Sequence, residues 1–340
     1  MTSRISIYNK YGYYLCDLRA TTVRSWIKNC SPNPGECRFI ISKYDAKFSR
    51  KYLEHGNFIY VRHASLPDWI GIIVTRRWAN GYVEVKALQA EYILKKRPTP
   101  IIDVLGVTGS LFAQVVGLTN GLPYNEKPIY VNNVYYANPE RQQRLGSDAL
   151  SIIQDLAERS GNDFDFQFLF TVNGNGYLSA NWYQRRGQMT NKVLREGYNI
   201  RMTDGLLEED SRATVNYLEG RGDASTAGTR YNYTAWDEES IAAIGLNAGS
   251  VVFNQNKEQV TVTDSTLNLL KRTKNPDEVY DITALNVGST FSYLDIGNIQ
   301  TIDLYSAGFD PSANPYVSTI GMEYDDDIDT CRLIVEKYYE

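Results

Sequence analysis

The chain is poor in the residues that carry most enzyme chemistry. It has two histidines, His55 and His63, and four cysteines, Cys16, Cys30, Cys37 and Cys331, among 340 residues. No two cysteines form a CxxC pair, so no zinc pattern emerges. GxSxG, HExxH and Walker-type loops are absent, which removes the common hydrolase, zinc-protease and nucleotide-binding signatures. The histidines flank an apolar run and read as packing or surface residues. No segment approaches the ~20 apolar residues of a membrane span, and the N-terminal MTSRISIYNK has no secretion-signal core. The chain is therefore expected to fold in the cytoplasm with free thiols; a Cys30–Cys37 bridge is the lesser alternative. An excess of basic charge is lacking too. The net charge of −5 is the wrong sign for a protein whose main task is gripping nucleic-acid phosphates.

What remains is an apolar fraction of 43%, a charged fraction of 22% and 26 tyrosines. The first two are those of a globular protein, and the length allows two or three domains. Tyrosine favours strands and protein interfaces, so the chain reads as β-rich and, more sharply, as an assembly protein.

The first hundred residues read mostly as strands. ISIYNKYGYYLCDL is a hairpin turning near Asn9–Gly12, and WIGIIVTRRWANGYVEVKAL is a second one turning at Asn80-Gly81, the strongest short hairpin signal. RPTP at 97–100 marks a boundary. The middle is mixed. Helices are predicted over 108–120 and 147–161, the latter capped by Ser147, with Asp148 at the favourable dipole end and Gly161 as its stop. Its apolar stripe is Leu150, Ile153, Leu156 and Ala157. A hairpin follows around Asn173–Gly176. The last third returns to strands. One short helix there is capped by Asp237 and stopped by Gly245; another is predicted to begin with cap residues at 263–264 and to end in Lys and Arg.

One stretch is written twice: YLEHGNFIYV at 52–61 and YLDIGNIQTI at 293–302. Each is followed by a loop, a strand containing a glycine (Gly71, Gly321), a turn and a returning strand. Gly71 lies 15 residues after Gly56 and Gly321 lies 24 after Gly297, so the extra nine are assigned to the loop DLYSAGFDPSANPYVS. Two small β-domains of related plan are expected to bracket the chain.

Other clusters have bland readings. Glu323, Asp325, Asp326, Asp327 and Asp329 start like a calcium loop, but the glycine and glutamate that such a loop requires are missing; a solvated hairpin tip is expected. Glu208, Glu209 and Asp210 read as a turn, as does Arg221-Gly222-Asp223. NGNGY at 173–177 joins strand to strand, not strand to helix, and is no phosphate cradle. No catalytic, cofactor-binding or metal residue is assigned, and no cofactor is expected.

Taken in order, five segments resemble the baseplate hub (tail hub) family of long-tailed bacteriophages and contractile injection systems. The hairpin at 69–88 is similar to the family's first-domain hairpin, and SDALSIIQDLAERSGNDFDFQF at 147–168 to its central helix and strand. LREGYNI at 194–200 with EEDSRATVNYLEGRGD at 208–223 resembles the re-entry into the second barrel. YNYTAWDEESIAAIG at 231–245 resembles its short helix, and residues 293–340 its final strands. Asn298 stands where the family often has Asp. The resemblance implies an α+β, mainly β protein: two related small β-barrel domains, 1–100 and 201–340, around a mixed α/β middle, 101–200. It further implies a homotrimer whose six barrels form a pseudo-sixfold ring. That ring would join the tail tube or distal tail protein to tip, spike or fibre proteins, near the tape-measure protein, with a channel for passing DNA and no membrane anchor. The expected place is the virion tail tip, assembled in the host cytoplasm, and the expected role is not enzymatic. A tail-associated hydrolase or peptidase usually needs an extra domain, for which the chain leaves little room. A carbohydrate-binding module fits the duplication less well.

Overall fold

The computed structural model describes residues 3–18, 21–29, 34–45, 48–122, 128–136, 140–222, 230–253, 259–305 and 315–338. The chain is mainly β. Its first part holds β1 (Arg4–Tyr8), β2 (Tyr14–Leu18), β3 (Thr21–Asn29), β4 (Glu36–Ser42), β5 (Phe58–Arg62), β6 (Trp69–Trp78) and β7 (Tyr82–Gln89). Strict alternation builds these strands: Cys37, Phe39 and Ile41 on β4, and Val83, Val85 and Ala87 on β7, are fully buried, while the residues between them are not. The β1–β2 turn is held by Asn9, whose Oδ1 accepts the N–H groups of Tyr11 and Tyr13, each at 2.9 Å. A Cβ on Gly12 would lie 1.8 Å from the Gly176 carbonyl oxygen, so this turn must be glycine to dock where it does. The β6–β7 hairpin turns at Gly81, φ +83°.

The middle part contains α1 (Tyr92–Lys95), β8 (Asp103–Val107), α2 (Thr108–Asn120), β9 (Ile129–Val134), β10 (Glu140–Arg144), α3 (Ala149–Ser160), β11 (Asp163–Phe170) and β12 (Gly176–Tyr183). The expected helices at 108–120 and 147–161 are present, but the cap of α3 is Asp148, not Ser147. Its carboxylate accepts the Ser151 N–H at 3.0 Å and so answers two demands at once, the open donors and the dipole. Gly161 ends α3 in the left-handed region, φ +71°. Strands β11, β12 and β9 form a sheet on which α2 and α3 pack, with the Phe112 and Trp182 rings 5.0 Å apart. The same core takes Tyr8, Phe58, Tyr60, Ile70 and Ile72 from the first part, so that β1, β5 and β6 bury residues on both faces.

The last part holds β13 (Met189–Arg195), β14 (Ile200–Asp210), β15 (Tyr217–Gly222), β16 (Asn232–Trp236), α4 (Glu238–Ile244), β17 (Ala248–Phe253), α5 (Gln259–Thr273), β18 (Asp277–Leu285), β19 (Ile299–Asp303), β20 (Tyr316–Asp325) and β21 (Thr330–Lys337). β15, β16 and β17 form a separate sheet, packed with α5 over a small core of Leu218, Ala235 and Leu270. α4 is capped by Asp237 and stopped at Gly245 as expected. α5 starts at Gln259; Thr263 and Asp264 lie inside it rather than capping it. Glu208–Asp210 is not a turn but the end of β14, where Glu208, Glu209 and Asp210 pair with Val279, Glu278 and Asp277 of β18. Backbone pairing overrides the turn-like composition there. Arg221 and Gly222 end β15, with Arg221 on Glu219 at 2.8 Å; Asp223 lies outside the described residues.

Thirteen strands share one sheet in the order β14-β18-β21-β20-β3-β4-β7-β6-β5-β1-β2, with β19 and β13 branching from β20. Among the described residues this path stays open, and no ring of paired strands closes. One apolar core runs through both ends of the chain, from Trp26, Phe39 and Val85 to Tyr280, Ile282 and Leu333. Cys16 is buried and Cys37 and Cys331 are buried free thiols, and burial pushes the Cys37 and Cys331 thiols up; Cys30 lies outside the described residues. No described helix is long and apolar enough to cross a membrane.

Candidate assembly surface

The twice-written stretch is one structure made twice. Each copy begins with a single 3-10 turn, at Arg50–Leu53 and at Thr290–Tyr293. A left-handed glycine follows, Gly56 at φ +83° and Gly297 at φ +84°. Next comes an asparagine whose Nδ2 donates back to a tyrosine carbonyl: Asn57 to Tyr52 and Asn298 to Tyr293, both at 3.0 Å. Asn298 also accepts the Gln188 N–H at 3.1 Å. Donating to one partner and accepting from the other requires an amide, which explains Asn in place of Asp. In both copies the Gly–Asn pair clasps one residue of the next strand. Gly56 N–H donates to Ile73 O and Ile73 N–H to Asn57 O, both 3.0 Å. Gly297 N–H donates to Thr319 O at 2.7 Å and Thr319 N–H to Asn298 O at 3.1 Å.

A register shift follows at once in each copy, between Ile73 and Thr75 and between Thr319 and Gly321. Ile73 thus corresponds to Thr319, and Gly321 corresponds to Thr75, not to Gly71. Ile73 lies 17 residues after Gly56 and Thr319 lies 22 after Gly297, so the second loop is longer by five residues rather than nine. The correspondence continues outward: β7 matches β21, β4 matches β18 and β3 matches β14. It fails at the next position. β1 runs antiparallel to β5, whereas β13 runs parallel to β19.

The two copies meet where the tail of β20 pairs antiparallel with β3, Gly321 to Asp325 against Asn29 to Ser25. Trp26 and Tyr324 lie opposite each other with rings 5.7 Å apart, at 1% and 0% exposure. Trp69 Nε1 donates to Ile27 O at 2.9 Å, and Lys28 pairs with Asp295 at 2.8 Å. His63 is a packing residue, its ring 4.9 Å from that of Tyr324; His55 is on the surface. The acidic tip of β20–β21 is not simply solvated. Asp326 accepts Ser3 N–H at 2.9 Å and Asp329 accepts the Tyr324 hydroxyl at 2.9 Å. Burial first, then that bond, push the Tyr324 phenol above its ordinary range. No group of three or more His, Cys, Asp or Glu among the described residues could hold a metal ion.

Beside this junction lies a buried polar cleft shared by all three parts of the chain, lined by Lys28, Gln89, Glu91, Asp165, Arg186 and Asp295. Arg186 sits 3.7 Å from both Asp165 and Asp295. Asp165 also accepts from Asn181 at 2.7 Å and Tyr183 at 3.2 Å. Glu91 is held by Gln89 Nε2 at 2.6 Å, while its second oxygen is buried without a partner. Burial pushes its carboxyl up to about 7. These groups lock the parts together; they form no nucleophile–base pair.

No family model and no curated protein matches the sequence. Solved structures do match over nearly the whole chain. A prophage tail protein, gp18, from Listeria monocytogenes EGD-e is 13% identical, covers 98% of this chain and 94% of its own, and superposes with a TM-score of 0.63. The chain has the fold of phage tail proteins. The tail protein from Neisseria meningitidis MC58 is 11% identical over 99% of this chain and 97% of its own, with a TM-score of 0.62. The 43 kDa tail protein of prophage MuSo2 from Shewanella oneidensis is 12% identical over 98% of each chain, with a TM-score of 0.61. The tail-protein fold bears out the resemblance read from the sequence.

Proposed function

We propose that the chain is a tail hub: three copies form a ring whose six related halves seat on the tail tube or distal tail protein and hold tip, spike or fibre proteins below. The observation that carries this is the repeat of turn, left-handed glycine, asparagine clasp and register shift in both ends of the chain. A tube with sixfold symmetry and a tip with threefold symmetry are joined by a trimer of such duplicated subunits, because three subunits then offer six similar faces above and three true ones below. The solved proteins that share the fold are named as tail proteins, which supports the same place in the virion.

Each half is proposed to act as a small β-barrel, with units at 1–100, 101–200 and 201–340 and with β13 joining the second half through β19. The tape-measure protein and passing genomic DNA are the proposed contents of the channel; a mildly acidic chain suits a wall along which DNA slides instead of binding. The role is structural, performed at the tail tip after assembly in the host cytoplasm. Sedimentation of the purified chain tests it, with a stable trimer as the expected species. A strict monomer that cleaves peptidoglycan or binds glycan contradicts it.

A further inference from the structure

The junction inside the chain is a template for one the single chain cannot make. In it, a second-half strand, β20, receives a first-half strand, β3, along its tail. The reciprocal contact would have β6 receive β14. Both partners are open for it among the described residues: β14 is a terminal strand with β18 as its neighbour, and beyond Ile73 the β5 side of β6 has no partner strand.

The register of the missing contact can be read from the made one. Ile73, Ala87, Cys37 and Trp26 are successive partners across β6, β7, β4 and β3. Thr319, Val335, Tyr280 and Leu207 are successive partners across β20, β21, β18 and β14. Leu207 therefore holds the position of Trp26, and Trp78 holds that of Tyr324. Carrying the β3–β20 register across puts Leu207 opposite Trp78, Glu208 opposite Arg77, Glu209 opposite Arg76 and Asp210 opposite Thr75.

We propose that β14 of one subunit adds antiparallel to the tail of β6 in the next, continuing the sheet from subunit to subunit and closing the ring. The inference rests on the trimer reading and names its contact. Three observations support it. First, an acidic register meets a basic one. Neither arginine makes an ion pair among the described residues, and Arg76 Nε is buried without a hydrogen-bond partner. Glu208 keeps 73% of its side chain exposed beside a long, 4.0 Å contact with Arg212. Second, Trp78 is 41% exposed where its counterpart Tyr324 is covered by Trp26. Lys43 and Arg50 flank its ring at 5.8 and 5.4 Å, which adds basic charge to the same face. Third, the inner ion pair is not duplicated. Glu209 replaces Lys28 and Glu54 replaces Asp295, so the outer contact must draw its charge pairing from Arg76 and Arg77. That difference lets each edge tell its own partner from the other.

Paired residues on opposite strands hold their Cβ atoms about 4.5–5.5 Å apart, near disulfide reach. The test combines Arg77→Cys and Glu208→Cys in one full-length chain and oxidises it, with each single variant as control and wild type measured alongside by sedimentation. The expected result is a non-reducing ladder of covalent dimer and trimer from the double variant alone. Reversing Arg76 and Arg77 to Glu should lower the trimer population at least tenfold, and adding Glu208→Arg with Glu209→Arg in the same chain should restore it. A wild-type trimer that gives no cross-link and ignores the charge reversal overturns this contact and leaves the trimer reading standing. A wild type that never trimerises, with no cross-link, overturns both.

Discussion

Glu91 offers a test of the buried junction by titration. Its carboxyl is raised from 4.5 to about 7 because burial disfavours the charge more than Gln89 and Arg186 favour it. A folded-state value above the unfolded one means that the folded protein holds the proton more tightly. The stabilisation is complete below about pH 4.5 and is lost as pH rises through about 7. At 1.36 kcal/mol per unit, the shift amounts to roughly 3 kcal/mol between pH 4.5 and pH 8. Glu91→Gln removes the charge and keeps an oxygen to accept from Gln89. Urea unfolding of both proteins at pH 5 and pH 8 isolates the effect as a difference of differences, since the other carboxylates are common to both. The variant should be close to wild type at pH 5 and more stable by roughly 2–3 kcal/mol at pH 8. Equal pH dependence in the two proteins, or a variant weaker at pH 8, would refute the account of this site.

Three further outcomes follow from the packing. Trp26→Ala should cost about 3–5 kcal/mol as a cavity opens against Tyr324; Trp26→Phe should stay within ~1 kcal/mol, because Trp26 Nε1 is buried without a hydrogen-bond partner. Chemical denaturation of the pair measures the contrast. Gly297→Ala should lose roughly 2 kcal/mol or more, since the backbone is left-handed and the new Cβ would lie 2.5 Å from Arg186 O; the denaturation midpoint reports it. Asp148→Ala should lose about 1 kcal/mol with its cap, read as a lower thermal midpoint.

Local structure was legible where one residue type has one backbone use. Asn80-Gly81, the stop at Gly161 and the Asp237 cap were all readable without a partner in view. The repeat was legible because its 3-10 turn, glycine and asparagine are contiguous. Its continuation was not: Gly71 and Gly321 look equivalent by pattern, yet the register shift after Ile73 and Thr319 puts Gly321 opposite a different residue, and no local signal marks such a shift. Glu208–Asp210 looked like a turn because acidic runs favour solvent, and only its pairing with β18 shows a strand. The β3–β20 junction joins residues some 300 positions apart, a distance across which periodicity carries no information. Glu91 was overlooked for the same reason, since its burial comes from three separate parts of the chain.

Single-particle imaging of the purified chain, with its mass measured in the same solution, is the test of the proposed ring, in which two related halves per subunit give three subunits six similar faces. The expected particle holds three 38.6 kDa chains, threefold in symmetry, with six similar lobes around a central hole. A closed dimer or tetramer, or a trimer whose lobes do not repeat at sixty-degree intervals, would contradict it.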